Sequence, residues 1–252
     1  MKKLVLNFIM LSLFTSSSAQ TEGILNYKLT TNVGFGLYET NKVIYFKDRR
    51  SMEYFVPKKV SESTEKVSET EYKEVSIIKS NKRAFIFKDI GKRKLILSDN
   101  IISKVFLISD TLNNFKWKVT SEHQKILNFN CTKALVNFRG RTYTAWFSDK
   151  IPLPLGPWKF GGLPGLIIRV SDNENKFVYE ITGIDLKTRF GDNLLEIRSE
   201  YKNDKILSHK EFFLLFGNKV KDLEKLSRTY DGNNKLGISN FKIAIPEKQE
   251  KF

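Results

Sequence analysis

Covalent or acid–base chemistry in this 252-residue chain would have to come from very few side chains. There is one cysteine, Cys131, and there are two histidines, His123 and His209. A nucleophilic thiol needs a neighbour that lowers its pKa, most often a histidine. Neither histidine stands with Cys131 in a recognisable signature. The cysteine is therefore read first as a small side chain packed in a sheet, and second as a free thiol open to oxidation. A lone cysteine excludes an intramolecular disulfide. No CxxC, HxxxH or HxH spacing and no Asp-x-Asp-x-Asp-Gly loop occurs, so no metal site is expected. Nucleophile elbow, phosphate-binding loop and dinucleotide fingerprint are missing too, and no cofactor is expected. Asp149 is the one carboxylate in the most distinctive segment, but general acid–base work needs a partner that the spacing does not supply. It is expected to cap the turn into Lys150-Ile151-Pro152. The balance leans against an enzyme and names no catalytic residue.

Binding chemistry is better represented. Tyr143, Trp146, Trp158 and Phe160 stand close in sequence to Arg139, Arg141 and Lys159. Such a set takes glycans, peptides or lipid head groups by stacking and cation–π contacts. The competing expectation folds Trp158 and Phe160 back as plugs over an open end of a sheet. The formal charge of +15, from 43 Lys and Arg against 28 Asp and Glu, admits polyanions, anionic membranes or acidic ligands as partners. The basic residues are spread in mixed clusters such as Lys92-Arg93-Lys94, which reads more simply as a solubilising surface. Lipid, glycan or an outer-membrane protein are the partners considered, and nucleic acid is not.

The stretch from Trp146 to Val170 carries Pro152, Pro154, Pro157 and Pro164 together with Gly156, Gly161, Gly162 and Gly165. Proline restricts φ and glycine permits positive φ, so this composition specifies a backbone path. Leu163-Pro164-Gly165-Leu166 fits a type II turn that launches a strand. Gly162-Leu163-Pro164-Gly165-Leu166-Ile167, with the residues around it from Cys131 to Val170, resembles the motif that names the GLPGLI family of exported Bacteroidetes proteins. The resemblance implies an exported β-rich protein and carries no activity with it.

Short apolar or alternating runs with turn residues between them have the spacing of antiparallel strands. They are Ile24 to Leu29, Lys42 to Lys47, Met52 to Val56, Val75 to Lys79, Ala84 to Lys88, Leu95 to Ser98, Val105 to Ser109 and Phe115 to Val119. Cys131 to Phe138 and Thr142 to Phe147 form a hairpin across Arg139-Gly140-Arg141, with Thr132, Ala134, Val136 and Phe138 on the core face and Cys131 on the more mixed one. A second hairpin joins Leu166–Ser171 to Lys176–Asp185. The polar stretch from Val56 to Glu74 reads as an exposed loop. Ser208-His209-Lys210-Glu211 has the capping-box pattern, followed at helical spacing by Phe212, Leu215, Phe216, Val220, Leu223 and Leu226. One further strand is expected at Phe241 to Ile245.

Lys2 and Lys3, the apolar run Leu4 to Phe14 and Ser17-Ser18-Ala19 read as an export leader over residues 1–19. The run is shorter than the roughly 20 residues a bilayer span takes, and no other stretch suggests a transmembrane segment. Residues 20–252 are expected to form one mainly β domain. Its expected form is a single large curved antiparallel sheet, in its more closed variant a half-open barrel, with a C-terminal α-helix. The functions considered are an extracytoplasmic binding or carrier protein for an apolar or amphipathic ligand, and an accessory protein that docks a partner through the Pro/Gly loop.

Overall fold

A computed structural model describes residues 22–33, 36–56, 82–112, 115–232 and 247–250. The leader, most of the polar stretch with the strand expected at Val75 to Lys79, and the strand expected at Phe241 to Ile245 lie outside the described residues. The strands are β1 (Glu22–Asn32), β2 (Leu37–Lys47), β3 (Arg50–Val56), β4 (Phe85–Asp89), β5 (Lys94–Ile101), β6 (Lys104–Thr111), β7 (Lys118–Ile126), β8 (Phe129–Phe138), β9 (Arg141–Ser148), β10 (Leu166–Asp172), β11 (Phe177–Asp185) and β12 (Ile206–Ser208). They form one open, curved sheet in the order β12-β6-β5-β4-β3-β2-β1-β11-β10-β9-β8-β7. The helix α1 (His209–Gly232) follows β12.

The order resolves into two meanders, β1 to β6 and β7 to β11, joined where β1 pairs with β11. Each hairpin within a meander is local, whereas the joining pair sets Ile24 against Asp185. All pairings but one are antiparallel; β12 lies parallel to β6 at the edge. Arg139 and Gly140, at φ of 45° and 75°, make the two-residue turn between β8 and β9. Positive φ at both positions matches the right-handed twist of the flanking strands. The turn after β10 is held by Asp172, whose carboxylate accepts from the Phe177 amide at 2.9 Å.

The sheet buries apolar side chains on both faces. Ile44, Phe46, Ile86, Leu95, Ala134, Tyr143 and Phe147 face a core shared with the Trp146–Val170 crossover. Val43, Met52, Tyr54, Phe85 and Ile96 face the opposite way, toward a smaller core closed by Leu195 and Tyr201. Those two residues belong to short 3-10 turns at Asp192–Leu195 and Ser199–Tyr201, which carry the chain across the back of the sheet to β12.

Three local expectations change. Phe115 and Trp117 do not extend β7; they turn inward onto Phe160, with ring centroids 5.6 and 6.1 Å away, and the strand starts at Lys118. Cys131 is buried in the main core, not on the mixed face, because the burial of β8 does not keep a strict period of two between Cys131 and Ala134. The capping box is present, with Glu211 accepting from the Ser208 amide at 2.7 Å and Ser208 Oγ accepting from the Glu211 amide at 3.2 Å. Among the described side chains of α1, the deepest contact with the sheet is near its start, and Phe216, Val220 and Leu223 line a pocket with Ile101 and Ile102 further along. Phe212 is fully buried and Phe213 packs on the core, while Leu215 is exposed.

Candidate functional site

The crossover between β9 and β10 folds back into the concave face. It runs through tight turns, with the Leu153 amide on the Ile151 carbonyl and the Leu155 amide on the Leu153 carbonyl, both at 2.7 Å. Trp158 sits at a φ of 52°, a conformation that β-carbon sterics disfavour outside glycine. Its amide donates to the carboxylate of Glu53 at 2.6 Å. Lys88 donates to the carbonyls of Gly156 at 2.7 Å and Phe160 at 3.3 Å. Lys42 completes the set with a 2.8 Å ion pair to Glu53. These three charged residues lie on the inner face of β2, β3 and β4 and are almost wholly buried. Burial lowers the pKa of Lys88 to about 8, partly countered by the charge of Glu53.

The glycines of the motif have two different uses. Gly162 takes a φ of 83°, which is strained for any other residue. Gly165 does not occupy the positive φ of a type II turn, so that expectation fails. A β-carbon there would come within 2.1 Å of the Ser148 carbonyl oxygen, so close backbone contact is what demands glycine. Leu163, Leu166 and Ile167 are buried. Tyr27 Oη, from the central strand, donates to the Ile167 carbonyl at 2.5 Å.

The aromatic and cationic set expected as a surface does come together, but faces inward. Trp158, Lys159 and Phe160 are buried, so Trp158 and Phe160 take the place of the plugs that the competing expectation described and not of an exposed recognition surface. Phe160 packs edge-on against Trp158 and Tyr143, with centroids 5.0 and 4.8 Å apart. Trp146 stands apart, half-buried on the opposite side of the β9 pleat from Tyr143. The cations meet carboxylates. Arg139 grips Asp110 through two 2.8 Å contacts and reaches Glu250 at 2.9 Å, and Lys159 pairs with both of those carboxylates. Arg141 pairs with buried Asp172 at 3.0 Å and with Glu247. His209 Nε2 closes the cluster on Glu250. Burial alone would raise the pKa of Asp110, but the hydrogen bond from Arg139 and the charge of Lys159 hold it far below the ordinary carboxylate range. Glu250 is also lowered, burial being outweighed by His209, Lys159 and Arg139.

Asp110, His209 and Glu250 bring their donor atoms within 4.8 Å of one another, a grouping a metal ion would accept. Arg139 and Lys159 already occupy the cationic positions beside those carboxylates. Cys131 and His123 are separated by the pleat: the thiol is buried, whereas the imidazole is exposed and contacts Thr132 Oγ1 at 3.2 Å. Burial pushes the thiol pKa up to about 11, away from a reactive thiolate. Asp149 is exposed in the turn after β9.

Beside the plug a cavity of about 320 Å³ remains. Ile90, Leu112, Phe115, Pro154, Leu155 and Phe160 supply its apolar walls, and Lys88 and Lys159 its polar ones. Lys42, Glu53 and Lys88 were not singled out from the sequence. Their signal is a charged residue in phase with the apolar positions of its strand: Lys42 with Ile44 and Phe46, Lys88 with Ile86.

Fold and site together define an open, curved β-sheet domain whose concave face is filled by its own crossover and keeps one small apolar cavity. Residues 37–211 match the family described as "N-glycanase peptide, N-terminal domain", and the chain belongs to that family. Among solved structures it is similar to PNGF-II, at 15% identity and a TM-score of 0.51 over 79% of this chain and 34% of that one. It thus spans about a third of that relative's length. A DUF1329 family protein from Desulfovibrio piger aligns at 8% identity over 71% of this chain and 91% of that one, with a TM-score of 0.35. A LolA superfamily protein from Nitrosomonas europaea gives the same identity and coverage with a TM-score of 0.32. No curated protein matches in sequence. Among the described residues no helix is long and apolar enough to cross a membrane.

Proposed function

We propose that this chain is a non-enzymatic binding module, exported by the leader at residues 1–19, that holds a compact apolar or amphipathic ligand in the cavity beside its plug. The resemblance to exported GLPGLI proteins belongs to this same reading. The observation that carries it is the cavity itself: six apolar residues and two lysine side chains around about 320 Å³, within the size range of small-molecule sites. The buried charges beneath the plug favour a pre-formed site, since they hold the crossover through its backbone whether or not a ligand is present.

The anionic apolar dye 8-anilinonaphthalene-1-sulfonate is a suitable probe. It should bind the folded chain with one-to-one stoichiometry, and Leu112→Trp should weaken binding at least tenfold while leaving the melting temperature within a few degrees. Native mass spectrometry after gentle purification should show a co-purifying small molecule. A chain that binds no dye and carries no small molecule sinks the proposal.

A second reading is favoured by the family match and by the one-third span of PNGF-II: a unit that works beside a larger body, as an accessory docking domain. It predicts a stable complex with a second polypeptide in gel filtration and no small molecule in the mass spectrum. Trp158 is buried, so Trp158→Ala tests the fold and not this docking.

A further inference from the structure

The segment Glu247-Lys248-Gln249-Glu250 is held as a ligand is held. It belongs to no β-ladder, and every one of its residues is met by groups from remote parts of the chain. Glu247 pairs with Arg141 and, at 2.9 Å, with Lys176. Lys248 Nζ donates to Asp99 at 2.6 Å and to the Asn100 carbonyl at 2.9 Å. The Gln249 main-chain carbonyl accepts from Arg141 Nε at 3.1 Å and from Tyr143 Oη at 2.8 Å, and its side-chain oxygen accepts from Tyr179 Oη at 2.8 Å. Glu250 is buried among Arg139, Lys159 and His209.

We infer that this groove is a recognition site for an extended peptide with glutamates at its first and fourth positions, and that residues 247–250 are its resident, exchangeable occupant. Three observations support exchange. The contacts are side-chain ion pairs and hydrogen bonds, the mode by which arginine clusters read acidic motifs in partners. The groove retains its shape without the segment, because Arg139 is fixed by Asp110 and Arg141 by Asp172. The fit is also imperfect: Gln249 Nε2 is buried with no hydrogen-bond partner among the described residues, a cost that a better-matched peptide would not carry. A segment of a partner protein with glutamates at the same spacing would meet the same donors.

The test uses the full chain and a fluorescein-labelled peptide of sequence Glu-Lys-Gln-Glu-Lys-Phe, copied from residues 247–252. Glu247→Lys with Glu250→Lys repels the resident segment, so this variant should bind the peptide at least tenfold tighter than the unsubstituted chain. Adding Tyr143→Phe, which removes one carbonyl contact and keeps the ring, should cost severalfold of that affinity. In the unsubstituted chain, excess unlabelled peptide should speed hydrogen exchange over residues 247–252; this arm decides the matter if the double variant does not fold. Failure of a folded double variant to bind more tightly overturns the inference. So does equal binding of a scrambled peptide of the same charge, or exchange over residues 247–252 that the peptide leaves unchanged.

Discussion

Two sets of charges hold the Pro/Gly crossover, and they differ in how dry they are. Lys42, Glu53 and Lys88 lie beneath it, nearly devoid of solvent, and two of them bind its backbone at Gly156, Trp158 and Phe160. Asp110, Arg139, Lys159 and Glu250 form the upper set, in which Asp110, Lys159 and Glu250 are buried too, whereas Arg139 and its neighbour His209 keep partial exposure. A buried charge that loses its partner cannot be rescued by water, whereas a partly exposed one such as Arg139 or His209 can. The lower set therefore dictates a unique path, and the upper set can change partners.

The sharpest way to break this contrast is Glu53→Ala. It strips Lys42 of its ion pair and the Trp158 amide of its acceptor, and it should cost about 3–5 kcal/mol in urea unfolding, the range for splitting a buried pair. A cost below about 1 kcal/mol, the level of a surface pair, would erase the distinction. Trp158→Ala should be nearly as damaging, about 3–5 kcal/mol for a buried tryptophan, and it should lower the melting temperature visibly.

Gly165→Ala comes next. The β-carbon would press on the Ser148 carbonyl, and overpacking of this kind typically costs about 1–3 kcal/mol. Gly162→Ala should cost less and for a different reason: it strains φ but meets no atom within 4 Å.

The pH dependence separates the two sets by window: stability rises with pH in both, over alkaline pH for Lys88 and over acid pH for Asp110 and Glu250. Lys88 titrates at about 8 in the folded chain against an ordinary value of 10.5, so between those values the unfolded chain binds the extra proton. Its contribution to stability should thus rise from about pH 8 toward 10.5, and Lys88→Met should lack that rise when unfolding free energy is followed against pH. Asp110 and Glu250 are lowered, so their contribution is present above the ordinary carboxylate range and is lost as pH falls through it and below. Acid should accordingly loosen residues 247–250 first, seen as faster hydrogen exchange there than at Trp158. The smallest effect belongs to a pair in neither set: Lys133→Ala, opposite exposed Glu122, should change stability by at most about 1 kcal/mol.

Much of this fold was legible from residue patterns. Where a strand buries one face, alternation marked it, as in β1, β9 and β11, and the Ser208–Glu211 cap marked the start of α1. Legibility failed where a long-range contact overrode the local pattern. Phe115 and Trp117 have strand-forming composition, yet their rings are drawn onto Phe160. Leu215 keeps the helical period but faces solvent, while Phe212 is buried and Phe216 and Val220 turn toward Ile101 and Ile102. Of the residues grouped from the sequence, Tyr143, Trp158, Lys159, Phe160, Arg139 and Arg141 lie together and Trp146 stands apart, but the direction they face was not given by type or spacing. Aromatic and cationic side chains suit a surface and a plug equally well, and only the depth of the concave face decides between them.

By itself the sequence determined the local terms: strand periods, the Arg139-Gly140 turn, the helix cap, and a crossover whose glycines and prolines admit few backbone paths. Tertiary structure decided the rest. It paired β1 with β11 across about 160 residues, set Glu53 and Lys88 under the crossover, and brought Glu247 to Glu250 onto Arg139 and Arg141. Such contacts join residues about 30 to 160 positions apart, and loop closure over such distances costs entropy that depends only weakly on sequence between the ends. No window short enough to show a period contains both partners, and so the motif could announce a constrained path without saying what it leans on.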